Sequence, residues 1–183
     1  ISSPETLKKA DKPRTYATKN VGTVTIEEAL SLQYLANVLE EHLSADPLLN
    51  TSLVHRLDGL VVISLPSVAM FDSGSIELTV GAREALFRMG GIIATIDNHV
   101  DVRGHTDPLP DSDARFGSKW SVSLARAAAV ANELRRSGFG RQMPIFGLAD
   151  TRFGRLDQQI PQGKRFALSR RVDIFIHPHS GEI

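Results

Sequence analysis

Apolar residues recur at helical spacing in three stretches of the chain. These stretches are residues 23–45, Val80–Ile96 and Trp120–Ser137. Spacings of three and four between apolar residues predict amphipathic helices, each with one face turned to a core. Thr25 begins a capping-box pattern for the first helix, and Gly138 is typical of the residue that ends the last one.

Shorter apolar runs predict five strands. Leu53–Leu57 and Leu60–Leu65 flank Asp58-Gly59, a dipeptide suited to the positive φ angles of a two-residue hairpin turn. Three further strands are expected at Val100–Gly104, Met143–Leu148 and Arg171–His177. The resulting order β-β-α-β-α-β-β predicts an α/β fold in which two helices cover one face of a mixed sheet.

The first 50 residues divide into two parts. Residues 1–22 contain four lysines, an arginine and two prolines without a hydrophobic period, which indicates a flexible linker. Residues 23–50 form an amphipathic helix region, and residues 51–179 form the main domain. The apolar stripe of the first helix must pack on that domain or on a second copy, and the sequence leaves both possibilities open.

Composition narrows the range of ligands. Lys+Arg and Asp+Glu both total 21, so the net charge is +0, and aromatic residues make up only 6%. Binding to nucleic acid is therefore not expected, because it relies on excess positive charge and on base stacking. The chain has no cysteine, its apolar runs are too short to span a bilayer, and it begins at Ile1. We interpret it as a mature or truncated soluble fragment.

The densest polar cluster is Arg103–Asp107, where a predicted strand passes into a loop. Such strand ends are common ligand sites in α/β folds. Arg126 lies early on the following helix, which can return its guanidinium towards Asp107. Two interpretations stay open: an ion pair that ties loop to helix, or a site for a zwitterion. In the second, Asp107 accepts an ammonium group, Arg126 holds a carboxylate, and Thr106 adds a hydroxyl.

A series of motifs across residues 53–177 resembles the OmpA-like peptidoglycan-binding domain family. The motifs are Phe71-Asp72-Ser73-Gly74-Ser75, Val102 to Asp107, Ser118-Lys119-Trp120, Leu124-Ala125-Arg126-Ala127, Gly147 and Ser169 to Ile174. They occur in the family's order with suitable separations. The resemblance implies an OmpA-like two-layer α/β sandwich, a mixed sheet covered by helices, here with an extra N-terminal helix.

The same resemblance implies a non-catalytic function. Members of the family grip the cell wall through the diaminopimelate residue of an uncrosslinked stem peptide. By motif, Asp107 corresponds to the residue that holds the ammonium group, Arg126 to the one that holds the carboxylate, and Thr106 belongs to the same loop. Arg170 is the first arginine of the terminal motif and either supports the site or packs structurally. Lys119 and Ser169 depart from the pattern, because the family usually has asparagine at both positions to fix loops.

The subfamily is suggested by the loop before the third helix. Pro108-Leu109-Pro110 and the Arg115-Phe116 pair with Trp120 resemble the flagellar stator family of MotB. That resemblance implies a homodimer, a MotA-like membrane channel subunit as partner, and a periplasmic location with an inner-membrane anchor outside this chain. Residues 23–50 would then belong to the plug and linker region. An OmpA-like extension of a type VI secretion protein is the alternative, and an interaction domain without a ligand is a more remote one.

Enzymatic function is not expected from the residues. The six histidines show no HxxxH or HExxH spacing, so neither a metal nor another cofactor is predicted, and His105 is interpreted as a structural donor. Asp107, Asp111 and Asp113 fall within one loop, which is typical of a solvated turn rather than an acid and base pair. The chain also lacks a GxSxG nucleophile motif.

Overall fold

A computed structural model describes residues 26–57, 59–109 and 116–178 of the chain. Its five strands form one sheet in the order β1-β2-β5-β3-β4. The strands are β1 Leu53–Leu57, β2 Leu60–Pro66, β3 Val100–Gly104, β4 Ile145–Gly147 and β5 Arg171–Ile176. β3 and β4 run parallel, whereas the other neighbouring pairs are antiparallel. The mixed sheet expected from the sequence is confirmed.

Along the chain, the first helix precedes the first strand and the other helices connect later strands. They are α1 Ile26–Ala45, α2 Ser67–Met70, α3 Val80–Ile93, α4 Lys119–Arg136 and α5 Gln162–Ser169, with a 3-10 turn at Phe153–Arg155. α3 ends at Ile93, three residues earlier than its apolar period predicts, and the Thr95 hydroxyl donates to the Ile92 carbonyl at that end. The short α2 and the polar α5 were not predicted. The expected linker at residues 1–22 and the cap Thr25 lie outside the described residues.

One hydrophobic core lies between the sheet and its helices. Alternate residues of β3 and β5, such as Val102 and Ile174, are fully buried on the same face of the sheet. Burying one such aliphatic side chain contributes roughly 1.5–3 kcal/mol. α3 and α4 cover this face, as the alternating pattern predicts.

α1 extends the same core. Leu35, Leu39 and Leu43 are buried in it, and the helix packs against α3 and β1. At the end of α1 the buried Asp46 accepts a hydrogen bond from Arg88 of α3 at 2.5 Å. The apolar stripe of α1 therefore packs on the chain's own domain, which answers the question that the sequence left open.

Two glycines let α4 lie directly on the ends of the parallel strands. A Cβ atom on Gly104 would be 1.9 Å from the Ser123 carbonyl oxygen, and one on Gly147 would be 2.7 Å from the Trp120 carbonyl oxygen. Neither position has room for a side chain, because real Cβ atoms do not approach backbone so closely. This close packing places Arg126, on the second turn of α4, beside the loop that follows β3.

Candidate binding site

Backbone hydrogen bonds fix the loop that leaves β3. The amide of His105 donates to the Arg171 carbonyl, and the amide of Thr106 donates to the Ala149 carbonyl, both at 2.9 Å. The amide of Leu148 in turn donates to the Gly104 carbonyl. Thr106 and Asp107 are thereby held at the carboxyl end of β3, the edge of the sheet at which the sequence places a site.

Asp107 is buried and makes two hydrogen bonds with other described residues. Its Oδ2 accepts from Arg170 Nη1 at 2.9 Å, and its Oδ1 accepts from the Leu109 amide at 3.1 Å. An ionised carboxylate offers about four acceptor positions, so these two bonds leave acceptor capacity for a further donor. The Arg170 side chain is 47% exposed, which makes its pairing weak and adjustable.

Arg126 is held by the Phe71–Ser75 loop. Its Nε and Nη2 both donate to the Ser75 carbonyl, at 3.0 and 2.9 Å. The guanidinium also lies 5.3 Å from the centre of the Phe71 ring, within the range of a cation–π contact. The Phe-Asp-Ser-Gly-Ser motif thus positions a cationic group beside the loop after β3.

A single cavity of about 570 Å³ brings the four expected site residues together. Thr106, Asp107, Arg126 and Arg170 all line it. The sequence allowed an ion pair between Asp107 and Arg126, but the arginine that pairs with Asp107 in the described structure is Arg170. Arg126 belongs to the same cavity and is oriented by a carbonyl instead.

Two buried hydroxyls on the cavity wall, those of Thr106 and Ser67, have no hydrogen-bond partner among the described residues. Thr106 is 4% exposed, and within the described part of the chain its Oγ1 has no hydrogen-bond partner. A buried hydroxyl without a partner costs about 1–3 kcal/mol, so such groups usually face a ligand or an ordered water. Thr106 lies on the cavity wall, so this hydroxyl is close to any ligand that occupies the cavity.

The charges around the cavity are balanced. Its charged lining residues in the described structure are Asp72, Asp107, Arg126 and Arg170. Two anions and two cations suit a ligand that carries both an ammonium and a carboxylate group. A polyanion or polycation would meet repulsion from one pair.

The two residues that depart from the family pattern lie elsewhere. Lys119 donates to Asp150 at 3.1 Å, and neither residue lines the cavity. Ser169 is buried, and its hydroxyl donates to the Phe166 carbonyl within α5. Neither side chain takes part in the cavity, so the departures leave its polar groups in place.

A second carboxylate, Asp173, lies behind the loop on β5. Arg171 Nε bonds to both of its oxygens at 3.0 Å, and His105 Nε2 lies 3.1 Å from Oδ2, out of line for an ideal hydrogen bond. Burial raises the pKa of Asp173, but the contact with His105 and the charge of Arg171 outweigh it, and the pKa falls below its ordinary value. This cluster fits the structural role expected for His105.

Two features are absent from the described residues. That part of the chain holds no group of three or more His, Asp or Glu side chains placed to bind a metal ion. None of its helices combines the length and the apolar character needed to cross a membrane.

A mixed sheet with helices on one face, and with a cavity at the carboxyl end of β3, defines an α/β domain. The chain belongs to the OmpA family, whose model matches residues 70–163. That match contains the Phe71–Ser75 loop, Thr106, Asp107 and Arg126. Arg170 lies just beyond it.

One curated relative and several solved structures are similar to the chain. Over 70 residues it is 36% identical to the uncharacterized protein YtxE of Bacillus subtilis, which covers 38% of this chain and only 29% of that protein. A protein described as MotB-like from Desulfovibrio vulgaris superposes with a TM-score of 0.70 at 22% identity, covering 83% of this chain and 97% of the other.

Two further structures share the architecture. The cell wall anchor of the type VI secretion system from Pseudomonas aeruginosa gives a TM-score of 0.66 at 25% identity, covering 76% of this chain and 96% of the other. A periplasmic domain of MotB gives 0.62 at 24% identity, covering 72% and 70%. The likeness to the two MotB-type structures shows the fold. The superposition with the Desulfovibrio vulgaris structure covers 83% of this chain, which is more than residues 51–179 make up. It therefore includes part of residues 1–50.

Sequence reasoning missed some groups that shape the cavity. The Ser75 carbonyl that orients Arg126 is a backbone atom, and no side-chain pattern marks it. The Asp107–Arg170 pair joins residues 63 positions apart, although the terminal motif did draw attention to Arg170. α2, which contributes Val68 to the cavity wall, is too short to produce a helical period.

Proposed function

We propose that this domain binds peptidoglycan without cleaving it and anchors a membrane protein to the cell wall. The observation that carries the proposal is one cavity lined by Asp107, Arg126 and Thr106, whose hydroxyl has no hydrogen-bond partner among the described residues. In this proposal Asp107 accepts the ammonium group at the end of a diaminopimelate side chain, and Arg126 donates to its carboxylate. Thr106 supplies a third hydrogen bond.

Arg170 has a supporting role in the proposal. Its bond to Asp107 Oδ2 neutralises the buried carboxylate in the absence of ligand, which lowers the cost of keeping that charge out of water. The remaining acceptor positions of Asp107 receive the ligand ammonium, so Arg170 and the ligand share the carboxylate. The half-exposed Arg170 can also shift towards solvent at little cost.

The family relationship supports the same function. The chain belongs to the OmpA family, and the similar structure from Pseudomonas aeruginosa is named a cell wall anchor. A reaction would need a nucleophile or an acid and base pair in the cavity. The proposed roles of Asp107 and Arg126 are both ionic contacts to ligand, so we propose that the domain is not an enzyme.

Sedimentation with purified sacculi tests the proposal. We expect the wild-type chain to sediment with sacculi and the Asp107→Ala, Arg126→Ala double variant to stay in solution. Each lost charge-assisted hydrogen bond costs about 1.5–3 kcal/mol, so the affinity should fall by about 100-fold or more. Equal sedimentation of the two proteins would refute the proposed site.

A matched control is available outside the cavity. Like the cavity variant, the Lys119→Ala, Asp150→Ala double variant removes one cation and one anion and leaves the net charge unchanged. Lys119 and Asp150 form an ion pair with each other. We expect it to sediment like the wild type. Muropeptide release should be measured over the same incubation, because release by the wild type would indicate a hydrolase.

For the intact protein we propose the role of a flagellar motor stator subunit. It would form a homodimer in the periplasm, be anchored in the inner membrane, and act with a MotA-like channel subunit. The fold likeness to MotB periplasmic domains supports this role. Deletion of the gene should abolish swimming and leave flagella assembled.

A second role is favoured by one comparison. The Pseudomonas aeruginosa cell wall anchor belongs to the type VI secretion system, and it is similar over 76% of this chain. If this protein has that role, deletion would leave swimming intact and abolish secretion of type VI effectors. The two phenotypes separate the candidates, since both use the same wall-binding cavity.

A further inference from the structure

The cavity has an apolar rim that the charged groups do not explain. Val68, on α2, is 88% exposed, and Leu109, two residues after Asp107, is 43% exposed. Both line the same cavity as Asp107 and Arg126. Single exposed apolar residues are ordinary on protein surfaces, but these two line the same polar cavity.

The local structure holds Val68 outward. Its neighbours Ser67 and Met70 are buried. The amide of Ser67 donates to the Arg170 carbonyl at 2.9 Å, and the amide of Phe71 donates to the Ser67 carbonyl. Because α2 is fixed at both ends, the β-branched side chain of Val68 is displayed with little freedom. A preorganised apolar surface of this kind gains affinity when a ligand covers it.

Leu109 is fixed by the site itself. Its amide donates to Asp107 Oδ1, so the backbone of Leu109 is tied to the carboxylate that would hold the ligand. A ligand whose ammonium group reaches Asp107 therefore occupies a cavity whose wall also carries Val68 and Leu109.

We propose that Val68 and Leu109 form an apolar contact for a small aliphatic residue adjacent to the zwitterionic residue of a bound peptide. An alanine of a wall stem peptide has the required size and character. The domain would then select a peptide over the free zwitterionic amino acid, although both carry the same charged group. This inference rests on the proposed wall-binding function and names the part of the ligand that gives selectivity.

Calorimetric titration of the full chain with two probes tests the inference. The probes are free meso-diaminopimelate and the stem tetrapeptide that ends in diaminopimelyl-alanine. We expect the wild type to bind the tetrapeptide more tightly. Val68→Thr keeps the shape of the side chain and replaces a methyl group by a hydroxyl, so it should weaken tetrapeptide binding about three- to fivefold and leave diaminopimelate binding unchanged.

Two further variants complete the experiment. Leu109→Thr should reproduce the selective loss, while Val80→Thr should change neither affinity, because Val80 is 72% exposed but does not line the cavity. If Val68→Thr and Leu109→Thr bind both probes like the wild type, or weaken both equally, the apolar rim is refuted and wall binding stands. If the wild type binds neither probe, the proposed function fails and the rim fails with it.

Discussion

Two aspartate–arginine pairs lie on either side of the loop after β3, and their surroundings differ. Asp107 pairs with Arg170, which is half exposed, whereas Asp173 pairs with Arg171, which is mostly buried. The two arginines are adjacent in the chain, and each reaches a different aspartate. One pair faces the cavity and the other lies within the sheet.

The difference lies in how completely each carboxylate is satisfied. Asp173 has both oxygens bonded by Arg171 and has His105 beside it. Asp107 keeps acceptor capacity, and the neighbouring Thr106 hydroxyl has no partner within the described residues. A closed ion pair stabilises a fold, while an incompletely satisfied one at a cavity is suited to binding. Residue type alone does not distinguish the two.

The largest expected effect comes from substituting each aspartate in turn. Asp173→Asn leaves Arg171 and His105 without their anion in a buried setting, so the free energy of unfolding should fall by roughly 2–4 kcal/mol. Asp107→Asn should lower it by at most about 1 kcal/mol, because Arg170 can turn to solvent. Urea denaturation at neutral pH gives both values.

Sacculus binding should show the opposite order. Asp107→Asn is expected to lose at least about tenfold in affinity, since the amide cannot replace the charge that holds an ammonium group. The folded fraction of Asp173→Asn should bind like the wild type. If Asp107→Asn proved the more destabilising variant and still bound sacculi, the functional distinction between the pairs would be lost.

Acid should weaken the closed pair at a definable pH. The pKa of Asp173 lies below its ordinary value of 3.8. Burial disfavours the charged carboxylate, but His105 and Arg171 stabilise it by more than burial costs. Its contribution to stability is therefore complete above about pH 4 and is lost as the pH falls through the lowered pKa. Denaturation curves between pH 5 and 2 should show a steeper loss for the wild type than for Asp173→Asn.

The acid dependence of stability has a second contributor, Asp46, with which Asp173 can be compared. Asp46 at the end of α1 also has a lowered pKa, because bonds from Arg88 and from the amides of Leu48 and Leu49 outweigh its burial. Asp173→Asn should therefore keep a residual acid dependence, and Asp46→Asn should remove a separate part of it. Identical pH profiles for the wild type and Asp173→Asn would show that the buried pair contributes nothing to acid stability.

Most of the fold was predictable because its signals are local. The Asp58-Gly59 dipeptide between two apolar runs marks the hairpin, and the alternation of Val172, Ile174 and Ile176 marks β5. α5 was missed because its sequence is largely polar, and α2 because four residues are too few for a period. The docking of α1 was undecided for a different reason: an apolar stripe shows that a helix is covered but not what covers it.

The residues that line the candidate cavity were predictable from the sequence, but the contacts between them were not. Motifs picked out Thr106, Asp107, Arg126 and Arg170, and all four line one cavity. Which arginine pairs with Asp107 depends on how α5 and β5 return beside β3, a contact between distant parts of the chain. The support of Arg126 by the Ser75 carbonyl depends on backbone geometry, to which side-chain types give no guide.

The smallest expected effect comes from substituting Ala149, which holds the loop after β3 through its backbone carbonyl. Ala149, whose carbonyl accepts the Thr106 amide, has a φ angle of 47°, a left-handed conformation that costs a non-glycine residue about 1–2 kcal/mol. Glycine removes that strain but loses more chain entropy on folding, so Ala149→Gly should raise the free energy of unfolding by only about 0.5–1 kcal/mol. Thermal denaturation would detect the gain as a melting temperature higher by about 1–4 °C.

Sacculus binding by Ala149→Gly shows whether the strained residue only connects two segments or also positions Thr106. If the left-handed turn only connects β4 to the next segment, the variant should be more stable and bind sacculi with unchanged affinity. Weaker binding by the stabilised variant would mean that Ala149 restricts the position of Thr106, and hence that the cavity depends on this backbone for its rigidity as well as on the two ion pairs. A loss of stability would contradict the strain itself, because glycine has no steric penalty at this φ angle.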